Sequence, residues 1–539
     1  MIRQPDAQSP DAQTQDAAPD PANPRAIRSI GIVGGGTAGW MAAAMLARAL
    51  HGRPCRITVI ESPEIGTVGV GEATIPPIID LLKFLDINEA DFIRRTSATY
   101  KLGIVFQDWG AVGDRYWHPF GTFGAPINRR PFHHAFARAL ATAGPDTRRA
   151  RFNDFSLAAA LGDAGLYRPP ESAGSGPGAG LRYALHFDAG LVAAYLGAYA
   201  RHLGVARLED TVQGVTLAED GAIAALQFAG REDFTADLYL DCSGFRGLLI
   251  EQAQKTGYLS WSRHLPCDRA VALPTAVEGP RPPYTRAAAR SAGWQWRIPL
   301  QHRVGNGHVY SSAHMEDAAA LDDLLAVTGQ TPLAEPRLLR FATGRRRLFW
   351  NRNCVALGLA SGFLEPLEST SIHLVMSGVY NLLDHFPDRD FAPANIAAYN
   401  RELIEEMEHI RDFIILHYGL TRRTDSAFWR DCAATPPPDS LAERIAVYRE
   451  TGRVGRRAGE LFTDLSWFYI FEGMGVRPAG HDPLIDVVPP AQLAAILSRL
   501  AGETAAALRP ARPQDSWFAP APALTTPALA THVLATHVP

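Results

Sequence analysis

The sequence predicts a mixed α/β (α+β) fold, with a parallel-sheet module on the N-terminal side and a mainly helical C-terminal part. Three observations predict it. A β-type run, Ser29–Val33, leads into the glycine turn Gly34-Gly35-Gly36-Thr37-Ala38-Gly39-Trp40 and then into the Ala/Leu/Met-rich stretch Met41–Leu50. A second run, Arg56–Ile60, ends at Glu61, roughly 20 residues beyond Gly39, the spacing of a βαβ unit that closes on an acid. Beyond Glu368, the segments Ile372–Phe386, Pro393–His417 and Leu441–Glu450 carry apolar residues at helical spacing.

The elements justify themselves in order. Ser29–Val33 and Arg56–Ile60 are short apolar runs of buried-strand type, and Met41–Leu50 is built from strong helix formers. Glu171–Gly180 is glycine-rich, either a flexible connection or an ordered loop that needs close backbone approach. Leu191–Leu203 reads as a helix, and Val205–Asp241 as several short alternating strands around the turn Glu219-Asp220-Gly221. The run Arg345-Arg346-Arg347 reads as a solvated face. The expected organisation is a disordered leader (1–26), a core with interleaved substrate-binding segments (27–370), a mainly helical cap (371–505) and a flexible tail (506–539).

Composition narrows the class. With 47% hydrophobic and 20% charged residues in 539, the chain has ample material for a large core. A formal net charge of -4 gives no global attraction to nucleic acid or to an anionic membrane, so neither is expected as a partner. The five cysteines (Cys55, Cys242, Cys267, Cys354, Cys432) are scattered, with no CxxC pair; they suggest neither a disulfide framework nor a zinc site, and a reducing cytoplasm is the expected compartment. Met1–Asn23 is rich in Asp, Gln, Ala and Pro and lacks the apolar region of a signal peptide. No apolar run reaches the ~18 residues of a membrane span. The closing repeat ATHVLATHV belongs to the expected tail and is read as no metal site.

The glycine turn has a chemical use. Gly34 permits the tight turn, Gly36 lets the backbone approach a pyrophosphate, and Gly39 lets helix and strand pack closely. Thr37 and Ala38 open the helix whose positive end receives the phosphate, and Glu61 is placed to accept hydrogen bonds from ribose hydroxyls. That much fits FAD and NAD alike. Two further loops favour FAD: Gly69–Pro76, which holds Glu72 and Ala73, and Asp241–Gly247 after the strand Leu238–Leu240. Gly358 completes the candidate cofactor contacts.

A set of motifs then makes the reading specific. GGGTAGWM (Gly34–Met41), GVGEATIP (Gly69–Pro76), HFDA (His186–Ala189), DCSGFRG (Asp241–Gly247), GWQWRIP (Gly293–Pro299), FLEPLEST (Phe363–Thr370) and RDFI (Arg411–Ile414) occur in order, followed by RTD and FW at Arg423–Asp425 and Phe428–Trp429. Together they resemble the flavin-dependent tryptophan-halogenase family. The resemblance implies an FAD-binding Rossmann-like module of flavin-monooxygenase type with a helical C-terminal substrate cap. It also implies that reduced FAD (FADH2) and O2 convert bound chloride or bromide to hypohalous acid. By position, Lys101 matches the family lysine that orients this acid and Glu368 the catalytic glutamate, with Ser369 beside it. Thr370 and Ser371 match the positions whose backbone amides hold the halide, although the family commonly has glycine where this chain has Ser371. Trp294 and Trp296 match the WxWxIP element thought to discourage monooxygenase chemistry. His118 and Phe120 resemble the segment that sandwiches the substrate ring, and Phe462 joins them as a substrate contact.

The chain also departs from that pattern. Free-tryptophan enzymes of the family carry an Asn-rich stretch and a Tyr–Tyr lid near the C-terminus. Here the corresponding stretch, Leu461–Tyr469, has no Asn run, and Gly452–Glu460, with Arg453, Arg456 and Arg457, has no Tyr pair. Indole or an indole derivative is therefore the expected substrate. No second GxGxxG follows a strand to take NAD(P)H, so a separate NAD(P)H-dependent flavin reductase is the expected partner, and a homodimer is compatible with the sequence. A flavin-dependent aromatic monooxygenase and a non-catalytic flavoprotein stay open as alternatives.

Overall fold

The computed structural model describes residues 23–64, 72–142, 152–455, 457 and 459–518. Strand Ser29–Val33 lies between Arg56–Glu61 and Leu238–Asp241, parallel to both. They form the middle of a six-stranded sheet ordered Trp350–Asn351, Cys354–Ala356, Leu238–Asp241, Ser29–Val33, Arg56–Glu61, Ala206–Glu209. Ile30, Ile32, Val33, Ile57, Val59 and Ile60 are all buried, the pattern of parallel strands enclosed on both faces. The crossover helix Thr37–Ala49 packs against helices Ala189–His202 and Ser371–Asp384. Its alanines permit that closeness, and Gly197 leaves room for Trp40, whose ring a Cβ there would approach to 3.1 Å.

A second sheet of seven strands stands beside the first. Its order is Arg337–Arg340, Arg269–Thr275, Val304–Tyr310, Gly293–Pro299, Thr285–Arg290, Gly103–Gln107, Arg115–Pro119, antiparallel except where Thr285–Arg290 meets Gly103–Gln107. The GWQWRIP strand is thus central, and the strand carrying His118 lies at an edge. A small antiparallel sheet, Glu72–Ala73, Ala184–Phe187, Thr99–Lys101, runs into this edge and positions Lys101.

The C-terminal part is helical, as its periodicity predicts: Ser371–Asp384, Pro393–Gly419, Ala427–Ala434, Asp439–Thr451, Asp464–Gly473 and Pro490–Ala507. Pro393 and Pro490 stand in the first turn of their helices, where a missing N–H costs nothing. Helix Asp464–Gly473 lies over the strand Arg115–Pro119, so the cap reaches the edge of the second sheet.

Two expectations need correction. Arg345 and Arg346 are not a solvated face: both are buried, Arg345 paired with Glu408 at 2.7 Å and Arg346 with Glu251 at 2.9 Å, and only Arg347 is exposed. The ordered chain also extends past both expected limits of 27 and 505. Ala26 bridges to Asp388 and Arg25 pairs with Asp390, while Arg512–Pro513 pairs with the short strand Leu166–Tyr167 and Asp515 meets Arg281 at 3.0 Å. Residues 1–22, Gly69, Val70, Gly71, Arg456 and the ATHVLATHV repeat lie outside the described residues. Among the described residues, no helix is long and apolar enough to cross a membrane, and no three His, Cys, Asp or Glu side chains gather for a metal.

Candidate functional site

Alternation along a strand sends neighbouring side chains to opposite faces. Tyr100 therefore stacks outward on Tyr167, with ring centres 3.7 Å apart, and Lys101 turns inward and is fully buried. Its Nζ donates to the Thr74 carbonyl at 2.9 Å and to Ser369 Oγ at 2.7 Å, and lies 5.3 Å from the centre of the Phe120 ring. Burial lowers its pKa to about 7, although the charge of Glu368 opposes the shift.

Ser369 is placed by a tight turn. The 3-10 turn Pro366–Glu368 ends at Ser369 in the left-handed region (φ 61), and Thr370 then opens helix Ser371–Asp384. No side chain caps this helix, and Thr370 Oγ1 is buried without a partner. The helix start thus presents unsatisfied donors and the positive end of its dipole.

Glu368 is buried beside Ser369, with an imidazole close to each oxygen. His118 Nδ1 lies 2.7 Å from Oε2. His417 Nε2 lies 2.9 Å from Oε1, off the ideal line for a hydrogen bond. Burial alone would raise the carboxyl pKa, but the two histidines outweigh it and hold the group down to about 2. An aromatic cage surrounds this end. Phe462 stacks on Phe413 with centres 3.8 Å apart, Trp467 meets Phe413 edge-on at 4.9 Å, and the His118 ring lies 6.0 Å from both Phe462 and Tyr469.

On the other side of Ser369 opens a cavity of about 510 Å³. Gly34–Ala38, Glu61, Glu72, Ala73, Trp296 and Gly358 line it, and Ser369 and Ser371 lie at its wall. This cradle fits a dinucleotide. A Cβ on Gly36 would meet nothing within 4 Å, leaving open space at the start of helix Thr37–Ala49. Gly39 is set back from the cavity and serves packing, since a Cβ there would fall 1.8 Å from the Gly34 carbonyl oxygen. Glu61 is fixed by the Trp40 indole N–H at 3.3 Å and by Arg207.

Trp296 lines the cavity; Trp294, on the same face of the strand with its ring centre 6.1 Å away, lies beyond the lining and donates from Nε1 to Glu365 Oε2 at 2.9 Å. The Tyr418 hydroxyl donates to the same oxygen at 2.6 Å. Burial still raises the Glu365 pKa to about 7 against these bonds.

The fold therefore gathers Lys101, Phe120, His118, Glu368, Ser369 and Phe462 at one end and the cofactor candidates at the other. Thr370 and Ser371 lie between them. Sequence reasoning missed His417, Tyr116 and the Glu365–Tyr418 pair. A signal for His417 was present: it follows Phe413 by four residues on one helix, so both side chains share a face.

Comparison with known proteins extends this geometry. Residues 29–490 match the family model described as tryptophan halogenase. Xcc4156, a flavin-dependent halogenase from Xanthomonas campestris, is 44% identical, with a TM-score of 0.88 over 93% of this chain and 100% of that one. BrvH, a flavin-dependent halogenase from Brevundimonas sp. BAL3, is 43% identical, also with a TM-score of 0.88, over 92% and 99%. Tryptophan 6-halogenase SttH of Streptomyces toxytricini is 37% identical over 435 residues, 76% of this chain and 82% of that protein. The match spans both the glycine-lined cavity and the Lys101–Glu368 site, and the chain belongs to the tryptophan halogenase family.

Proposed function

We propose that this chain is a flavin-dependent halogenase that chlorinates or brominates an electron-rich ring, an indole or indole derivative rather than free tryptophan. The observation that carries the reaction class is the buried Lys101, joined through Ser369 to the wall of the glycine-lined cavity and facing the charge of Glu368. Gly34, Gly36, Thr37 and Ala38 would hold the FAD pyrophosphate, Glu61 a ribose, and Glu72, Ala73 and Gly358 the cofactor further along. Reduced FAD bound there supplies, with O2, the oxidising equivalents that turn halide into hypohalous acid.

The chain's own residues do the rest. The amides of Thr370 and Ser371, at an uncapped helix start, hold the halide against the cavity. The Lys101 ammonium donates to the oxygen of hypohalous acid and turns its halogen toward the substrate. His118, Phe120 and Phe462 hold the ring by its faces. As the ring's π electrons form the carbon–halogen bond, the halogen–oxygen bond breaks and the oxygen leaves as water with a proton from the Lys101 ammonium. The C–H bond at that carbon then breaks and its electron pair restores the ring. The proton goes to the Glu368 carboxylate, which its low pKa keeps ionised.

Charge pairing in the cap supports an apolar substrate. Arg453 pairs with Asp482 at 3.3 Å, Arg457 with Glu443 at 3.6 Å, and Arg444 with Glu460 at 3.0 Å while covering the Trp467 ring. Of these, the buried Arg444–Glu460 pair is committed to its partner and not free to grip the charged ends of an amino acid. A separate NAD(P)H-dependent reductase supplies the reduced flavin.

A mass-spectrometric assay with FAD, a flavin reductase, NADH and O2 tests the reading on indole and tryptophan, each with chloride or bromide. The expected result is a halogen isotope pattern, stronger on indole. Oxygenated product alone would overturn the reaction class, and preferred turnover of tryptophan would overturn the substrate class.

A further inference from the structure

Behind Glu368 stands a second layer of polar groups, in which His417 is hydrogen-bonded to Tyr116 and in close contact with Glu368. The Tyr116 hydroxyl lies 3.1 Å from His417 Nδ1, and the opposite imidazole nitrogen lies 2.9 Å from Glu368 Oε1. Tyr116 and His118 are two residues apart on one strand, so both point to this face, and His417 comes from the helix Pro393–Gly419. The His417 ring is fully buried among Phe106 at 4.7 Å, Phe413 at 5.7 Å and Trp109 at 5.8 Å. Its neutral form is favoured by burial, although Glu368 opposes the shift.

A neutral imidazole carries one proton, and its partners decide where. If Nδ1 held it, the Nε2 lone pair would face a carboxylate lone pair at 2.9 Å, which is repulsive. The Tyr116 hydroxyl has one proton and two neighbours, His417 Nδ1 and Met474 Sδ at 3.4 Å; the sulfur is the weaker acceptor, so the proton goes to Nδ1, which leaves the ring proton on Nε2, on the side of Glu368. We infer that Tyr116 fixes the tautomer of His417, and that His417, with His118 on the other oxygen, is a positioning residue that keeps Glu368 ionised and oriented as the base for ring deprotonation. This rests on the proposed role of Glu368. The titratable groups facing Glu368 are Lys101 from the small sheet, His118 and Tyr116 from the edge strand, and His417 from the helix.

The test compares His417→Phe, His417→Gln and Tyr116→Phe in the FAD-loaded enzyme. Losing a donor to a charged group weakens its ionised form by about one pH unit or more. In His417→Phe, the acid limb of the kcat/KM profile is therefore expected to move up by about that amount. Ring deuteration at the reacting carbon should give a larger isotope effect on kcat, while KM stays near the parent value. His417→Gln, which keeps an N–H near the Nε2 position, should restore the acid limb. Tyr116→Phe, a milder change that serves if His417→Phe does not fold, should shift it in the same direction by less. Infrared titration reads the same event without turnover: a protonated-carboxyl band, absent from Glu368→Gln, should appear at higher pH in His417→Phe or Tyr116→Phe. An unmoved acid limb and unmoved band in folded variants, with Glu368→Gln slow, would overturn the inference alone. A fully active Glu368→Gln would overturn the role of Glu368 and this inference with it.

Discussion

Lys101 and Glu368 share one buried site, yet their environments push them in opposite senses. Lys101 has two neutral acceptors, so burial dominates and its pKa falls to about 7, whereas Glu368 faces two imidazoles that outweigh burial. Lys101→Ala is expected to lower halogenation by about 10²–10³-fold, the usual loss of a donor to a reacting oxygen, while flavin oxidation continues. Product yield and oxygen consumption, measured together, separate the two. Glu368→Gln should slow halogenation about 10²-fold. Stability follows from the same directions. Between pH 7 and 10.5 the unfolded chain holds the Lys101 proton that the folded chain has released, so this group's contribution rises with pH. Lys101→Met should therefore raise Tm more at pH 6 than at pH 10. For Glu368, stabilisation is present above 4.5 and lost as pH falls toward 2, so Glu368→Gln should lose on the order of 3 kcal/mol at pH 7 and progressively less in acid. Denaturant melts at several pH values would show both trends.

Among the elements, the turn at Ser369 joins the two halves of the site. Its left-handed backbone costs a non-glycine residue roughly 1 kcal/mol, and its hydroxyl accepts from Lys101. Ser369→Ala keeps the strain and loses the bond, so halogenation should fall about tenfold, whereas Ser369→Gly should fall as far in rate yet melt higher. Equal melting of the two variants would count against strain at this turn. At the glycine turn, Gly39→Ala would drive a Cβ into the Gly34 carbonyl, and FAD affinity, followed by flavin fluorescence, should drop by an order of magnitude or more. The βαβ unit and the C-terminal helices were legible in the sequence because their signals are local: glycine spacing, a closing acid, apolar period. The small sheet that positions Lys101 was not, since Thr99–Lys101 finds its partner at Ala184–Phe187. Arg345 and Arg346 were misread for the same reason, their carboxylate partners being Glu408 and Glu251.

At the scale of the whole molecule, motif order was enough to reveal the family: five of the motifs, from Gly34–Met41 to Phe363–Thr370, contribute to one cavity, to which the chain returns many times. The relay behind Glu368 was not legible, because it arises where an edge strand and the long helix meet. No second GxGxxG follows a strand in the sequence, which leads to the expectation that the purified protein with FAD oxidises NADH no faster than buffer does. A stopped-flow trace at 340 nm decides this, and enzymatic NADH loss would count against a separate reductase.

The far end of the described chain has a practical bearing on joining the two activities. Tyr100, next to Lys101, stacks between Tyr167 and Phe518, and Trp517 donates to the Tyr167 carbonyl at 3.2 Å. The wall behind Lys101 is therefore completed by residues more than 400 positions away. A reductase fused to this chain belongs beyond Phe518, with a linker that leaves 512–518 seated; a junction cut before Arg512 would detune Lys101 from a distance, without touching any group that meets the substrate.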